Sequence, residues 1–298
     1  MKRVAVITRT KNRPLLLPRV RASIERQAYR DLVWVLVNDA GEAEYVDREA
    51  QAARRNGLDV LTVHLKKSKG MEAASNEGIR RSESNYIVVH DDDDTWQPEF
   101  LAKTVAFLDT GHEYVGVVTH ASCVKEKVEN DTIKTLSKKA YNTGLRAVCL
   151  ADMALCNRFP NNSFLYRRSV LDEVGRYDES MPVLGDWDFN LRVLSVGDIG
   201  VVPDTLANFH QRIDSHSLTD EYRNTATRWI DAHHEYEAAY RNRKLREDMA
   251  NNRVGLGFLM ALGRLQQQSR GERFFGFSAR IMEKLGLKSL FVPERSSR

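Results

Sequence analysis

Residues 86–100 read YIVVHDDDDTWQPEF. Tyr86 to Val89 is a short apolar, β-branched run that reads as a buried strand. Four aspartates, Asp91 to Asp94, follow where that strand ends. Pro98-Glu99 then reads as the first turn of a helix, where proline's missing N–H costs nothing. A strand, an acidic turn and a helix in this order predict an α/β unit with its acids at a strand's carboxyl end, where open α/β sheets bind ligands. Four adjacent carboxylates repel one another. A solvated helix start tolerates them, because water screens them and the helix dipole favours them. A bound cation neutralises them: Mg²⁺ and Mn²⁺ prefer carboxylate oxygens and share their remaining positions with phosphate.

Upstream, Val4 to Ile7 reads as a first strand, followed by the polar stretch TRTKNR and a helix opened by Pro14 with Leu16, Val20 and Ile24 on one face. A second strand, Leu32 to Val37, ends in Asn38-Asp39-Ala40-Gly41. A helix over Glu42 to Asn56 stops at Gly57, Val60 to His64 is a third strand, and Met71 to Arg81 is a helix. This alternation predicts a parallel, doubly wound sheet with Asp39 and the aspartate cluster facing one crevice. After Gly111 the pattern changes. Strands are predicted over Tyr114 to Thr119, as a hairpin over Cys123 to Val128 and Thr132 to Leu136, and over Ser163 to Tyr166 and Ile199 to Val202. Helices are predicted over Leu145 to Cys156, Ser169 to Val174 and Gly185 to Val196, the last with acids in its first turn. Beyond about Asp220 the chain reads as helical, over Glu221 to Arg246, Val254 to Leu265 and Arg273 to Leu285.

The 298 residues suffice for a large core, and no apolar run approaches the roughly 20 residues needed to span a bilayer. The apolar run in MKRVAVITRT is too short for a secretory leader. Cys123, Cys149 and Cys156 form neither a metal-binding spacing nor an even disulfide set, which predicts a reducing cytoplasm. The net charge of +4 is unevenly spread. From Tyr240 onward there are 13 Lys and Arg against 5 Asp and Glu, and the rest of the chain is acidic. An acidic body with a basic tail argues against a nucleic-acid partner.

The order of these pieces resembles an inverting family 2 glycosyltransferase of the GT-A fold, over roughly Val4 to Arg212. Five stretches carry the resemblance: VITRTKNR, VLVNDAG, KGMEAASNEGI, YIVVHDDDDTWQPEFL and FLYRRSVLDEVGRYDESMPVLGDWDFNLRV. It implies a Rossmann-like, mostly parallel mixed sheet flanked by helices. The expected domains are a catalytic domain over 1–219, with a nucleotide-sugar half (1–111) and an acceptor half (112–219), then a helical extension over 220–298. It implies that Asp39 reads the nucleotide base beside the turn Thr8-Arg9-Thr10. Asp91 and Asp93 match the outer acids of the metal motif, Asp91 and Asp92 lie on the nucleotide side, and Asp186 matches the catalytic base. His210, ahead of His216, is the candidate to complete the shell of a Mn²⁺ or Mg²⁺ ion. Three departures stand out: Asn38 precedes Asp39 in place of a second acid, Ser75 stands where an arginine is common, and Gly185 stands where a glutamate is common. Asp188 is the fallback base.

The chemistry implied is sugar transfer from a nucleotide-diphosphate donor to a hydroxyl of a glycan or lipid-linked glycan acceptor, in surface polysaccharide biosynthesis. UDP-sugar is the favoured donor, with dTDP-sugar second, since uracil and thymine share the N3–H that Asp39 would meet. The enzyme alternative is a nucleotidyltransferase, but TRTKNRP lacks the glycines of a phosphate loop. The non-enzyme alternative is a nucleotide-sugar-binding scaffold of a glycan assembly complex. The basic, Phe- and Leu-bearing C-terminal helices suggest contact with the inner face of the membrane or self-association. Trp96 and Trp187 are expected to pack beside the site, and His233 and His234 to face solvent.

Overall fold

The computed structural model describes residues 2–130, 132–212, 222 and 230–270. The predicted helix over Arg273 to Leu285, and His216, lie outside the described residues. Two compact units divide the chain, Met1–Ala238 and Ala239–Arg298.

In the first unit, β1 (Val4–Thr10), β2 (Leu32–Asn38), β3 (Asp59–His64) and β4 (Tyr86–Val89) pair in parallel. They are joined by α1 (Leu17–Glu25), α2 (Ala43–Arg55) and α3 (Met71–Arg81). Then come β5 (Thr95–Trp96), α4 (Phe100–Thr110), β6 (Tyr114–Glu129), β7 (Thr132–Ala140), α5 (Leu150–Leu155) and a 3-10 turn at Asn161–Ser163. They lead to β8 (Phe164–Arg167), α6 (Val170–Val174), α7 (Gly185–Leu194) and β9 (Asp198–Arg212). Helix α8 (Ile230–Ala250) runs across the division, and α9 (Leu256–Arg270) follows. The nine-stranded sheet has the order β3-β2-β1-β4-β8-β6-β9-β5, with β7 on β6. Pairing is antiparallel around β8 and in the β5–β9 and β6–β7 pairs, and parallel between β6 and β9. This is a mixed, mostly parallel α/β sheet of the Rossmann-like kind.

Strand alternation assigns the layers. Val4, Val6, Trp34 and Leu36 join the core cluster that holds Leu17, Val20 and Ile24 of α1 and Val46 and Ala50 of α2. The intervening residues face α3: a Cβ on Gly78 would meet Ile7 Cγ2 at 2.6 Å and Val37 Cγ2 at 3.1 Å, so that position admits only glycine at this spacing. Helix α7 joins this layer. Phe189 stacks on Tyr177, whose backbone N–H and C=O are bonded by the Asn76 amide of α3.

Several elements differ from the sequence expectations. The predicted strands over Tyr114 to Thr119 and Cys123 to Val128 are one 16-residue strand, β6, and the last strand runs through to Arg212. Polar residues interrupt the apolar pattern of both, but β9 pairs with β6 from Tyr114 to Glu126, so their backbone groups are satisfied by each other. The helix expected from Leu145 begins at Leu150; the Leu145 carbonyl accepts from the His120 ring instead. The two-residue strand β5 was not legible at all, because it exists only through its pairing with β9.

Candidate active site

Chain order reverses beside β1: the chain goes to β2 and β3 on one side and then to β4 on the other. Such a switch opens a crevice at the carboxyl ends of the two strands. β4 pairs with β1 only from Val4 to Ile7, while β1 runs on to Thr10 against β2. The acidic turn after β4 therefore faces the unpaired end of β1. Alternation sends Thr8 to one face, where it accepts from Trp34 Nε1 at 2.9 Å, and Arg9 to the other.

Each carboxylate of the turn has its own partner. Arg9 Nη2 lies 2.9 Å from Asp91 Oδ1, and Arg13 Nη1 2.8 Å from Asp92 Oδ1. Asp93 pairs with Arg212 from the end of β9, and Asp94 Oδ1 accepts from the His210 backbone N–H at 3.0 Å. Arg19 of α1 donates to the Asp93 carbonyl and lies 2.6 Å from Glu126. Burial works against the charge of Asp93, yet Arg212 and Arg13 hold its carboxyl below the usual range. Burial, followed by the neighbouring acids, pushes Asp94 well above that range; Asp91 also rises, to about 6, despite Arg9. Burial of the turn, more than charge alone, sets these shifts.

Asp39 stands across the crevice end of β2. Ser68 Oγ donates to it at 2.6 Å, and the N–H groups of Lys69 and Gly70 at 2.9 and 3.3 Å. Gly70 has φ +93°, a conformation that aims its N–H at the carboxylate and that side chains disfavour. Thr10 is buried beside this end of β1, its carbonyl accepting from the Asp39 N–H at 2.9 Å.

On the α3 face, Asp186 opens α7. It is partly exposed, accepts from Asn157 Nδ2 at 2.9 Å, and burial raises its pKa. Asp188 is buried and bonded to Arg192 Nε at 2.7 Å, one helical turn on. Arg9 joins the two sides: Asp91, Glu72 and Asp186 all stabilise its charge. His233 at the start of α8 is half-buried, not solvent-facing, and its charge and that of Asp186 influence each other. His234 is exposed. Trp96 and Trp187 are buried, and their indole N–H groups donate to the Asn162 and Met153 carbonyls.

His210 sits inside β9 with Nδ1 2.6 Å from Glu126 and Nε2 2.9 Å from Thr95 Oγ1. A cation recruiting this ring would have to displace one of them. Among the described residues no three His, Cys, Asp or Glu side chains converge as a metal cage. Asp91, with 29% of its side chain accessible, and Asp93 offer hard oxygen donors at the crevice. That donor set suits a divalent ion held by one or two carboxylates and completed by ligand phosphates and water.

Sequence reasoning missed Arg13, Arg212 and Glu72. Arg13 was legible as a base four residues beyond Arg9, in a stretch already placed at the crevice. Arg212 lay in a strand the sequence does not announce.

The glycosyl transferase family 2 model matches residues 5–175. An uncharacterized glycosyltransferase of Bacillus subtilis, YwdF, is 29% identical over 192 residues, 64% of this chain and 67% of that protein. A PGL/p-HBAD biosynthesis glycosyltransferase of Mycobacterium tuberculosis is 26% identical over 197 residues, 64% of this chain and 69% of its own length. In fold, the chain is similar to residues 1–349 of S. aureus TarS in complex with UDP-GlcNAc (TM-score 0.58, 18% identity), covering 73% of this chain but only 61% of that one. It is also similar to the mannosyltransferase PcManGT of Pyrobaculum calidifontis in complex with GDP-Man and Mn²⁺ (TM-score 0.55, 16% identity, 96% of this chain and 81% of that one).

Proposed function

The chain belongs to glycosyl transferase family 2 and is a transferase, and we propose that it is a metal-dependent, inverting enzyme that moves a sugar from a UDP-sugar, or second a dTDP-sugar, to a glycan or lipid-linked glycan hydroxyl. Relatives named for glycan biosynthesis and solved neighbours bound to nucleotide sugars support a nucleotide-sugar donor. The observation that carries the reading is the arrangement around Arg9, with Asp91 at the strand end on one side and Asp186 at the head of α7 on the other.

In this reading the donor lies along the carboxyl ends of β1 and β2, its base beside Asp39 and Thr8 to Thr10. Its diphosphate lies beside Asp91 to Asp93. Asp91 and Asp93 would hold Mn²⁺ or Mg²⁺, which supplies Lewis-acid neutralisation of a diphosphate leaving group. Arg13 holds Asp92 in place, and Arg212 and Arg13 keep Asp93 ionised. Asp186 accepts the proton of the acceptor hydroxyl at its carboxylate while Asn157 fixes the orientation of Oδ2. Attack from that face, opposite the diphosphate, inverts the anomeric carbon. The raised pKa of Asp186 makes it a stronger base than an exposed aspartate. Asp188, committed to Arg192, serves the helix. The exposed Val254, Phe258 and Leu262 in a basic segment support contact of the C-terminal helices with the cytoplasmic face of the membrane, or self-association.

Thermal-shift screening of nucleoside diphosphates and nucleotide sugars, with and without Mn²⁺, tests the donor assignment, because stabilisation follows ligand concentration over Kd. A UDP- or dTDP-compound should give the largest, Mn²⁺-dependent shift. A larger shift with purine nucleotides, or shifts indifferent to Mn²⁺, would contradict the assignment.

A further inference from the structure

Gly185 heads α7 without a side chain, and the space one would fill is occupied. A Cβ there would meet Oε1, Cδ and Cγ of Glu72 at 2.4, 2.5 and 2.7 Å. Glu72 comes from the first turn of α3 and is 5% exposed. Its Oε2 lies 3.6 Å from Arg9 Nη1 and has no hydrogen-bond partner. Burying a carboxyl oxygen unpaired is costly, so its retention beside a catalytic crevice calls for a role. The same Arg9 Nη1 donates to Ser75 Oγ at 2.6 Å, one turn further along α3, while Nη2 reaches Asp91. Glu72 therefore touches both halves of the site: the arginine that binds Asp91, and the backbone that immediately precedes Asp186.

We propose that Glu72 is a positioning acid of this site, supplying from α3 the carboxyl that position 185 cannot carry, steadying Arg9 against Asp91 and bracing the start of α7 on which Asp186 stands. The inference rests on the reading of Asp186 as the base. The groups that act on Glu72 are Arg9 from β1, Asp91 from the turn after β4, Tyr177 from the loop before α7, and Asp186 and Asp188 from α7. Burial first, then those aspartates, raise its carboxyl to about 7 against the pull of Arg9, which marks it as electrically part of the acid cluster.

The test moves the carboxyl across the contact. Steady-state transfer and thermal melting are measured for the parent, Glu72→Gln, Glu72→Ala and the double variant E72A/G185E. In Glu72→Ala, kcat should fall about 10- to 100-fold, the scale of a small misplacement of the reacting groups, with donor KM within about threefold. Glu72→Gln, which keeps the shape and a hydrogen-bonding group, should recover part of that loss. The double variant, with the carboxyl returned from the α7 side, should exceed Glu72→Ala by about tenfold. Parent-like kcat in Glu72→Ala overturns the proposal. So does a folded double variant no better than Glu72→Ala; if that variant does not fold, recovery or its absence in Glu72→Gln decides. A parent that transfers from no nucleotide sugar contradicts the reading of the site as a whole, whereas an active parent with an indifferent Glu72→Ala contradicts this inference alone.

Discussion

Arg212 is 1% exposed and pairs with Asp93, itself nearly buried, across 119 positions of sequence. Removing the buried Arg212 takes away the nearest countercharge of Asp93 and leaves it the longer pair with Arg13, at 3.6 Å. Arg212→Ala should therefore lower unfolding stability by about 3–5 kcal/mol in denaturant titration, and a loss under 1 kcal/mol would contradict the pairing. Glu72 makes the opposite prediction. Its folded pKa, about 7, lies above the ordinary 4.5. The folded state therefore holds a proton that the unfolded chain gives up first, and this group's contribution to stability is lost as pH rises from about 4.5 through about 7. Glu72→Gln removes that loss, so it should melt higher than the parent at pH 8, by an amount of order 3 kcal/mol at most, with the gap closing below pH 4.5. A variant less stable than the parent at pH 8 would contradict the burial argument. The acids of the crevice were legible in the sequence because four aspartates in a row demand an explanation. Their arginine partners were not, since ion pairing across strands depends on register. The gap at Gly185 could be read from the chain; the glutamate that fills it could not.

β1, β2 and β4 were readable because they are parallel, covered on both faces and therefore mostly apolar, and β3, the half-exposed edge strand, because of its β-branched run. β6 and β9 were read as fragments because each mixes buried polar residues such as His120, Asn208 and His210 into its length, and only their mutual register joins the pieces. Among the described residues β7 pairs only with β6, and it is exposed along most of its length. Lys134, Lys138 and Lys139 line that edge, and Lys134 stands directly opposite Lys127 in register, a like-charge juxtaposition that costs hairpin stability. Lysines on an edge strand deter pairing with another chain. Replacing Lys134, Lys138 and Lys139 together with valine should increase self-association, visible as larger species by light scattering at fixed protein concentration. An unchanged size distribution would show that the edge is guarded by something else.

At the level of the whole molecule, the order of elements and the crevice beside β1 followed from alternating strand and helix patterns, and the family match bears out the resemblance from which the transferase reading came. The extension follows a different logic. Among the described residues no helix is long and apolar enough to cross a membrane, but Val254, Phe258 and Leu262 are exposed in and just before α9, within a strongly basic segment. Anionic liposomes should therefore carry the full chain upward in a flotation gradient and leave behind a form truncated near Asp220; equal flotation would remove the membrane role. The proposed transfer reaction turns on Asp186. Asp186→Asn preserves the side chain's shape but removes its basic oxygen, so sugar transfer should fall by roughly 10²–10⁴-fold with donor and Mn²⁺ affinity nearly unchanged. Asp188→Asn, whose partner is Arg192, should lose stability before it loses chemistry. The deciding measurement is single-turnover transfer by these two variants beside the parent. Near-normal transfer by Asp186→Asn, with Asp188→Asn folded and inactive, would contradict the assignment of the base.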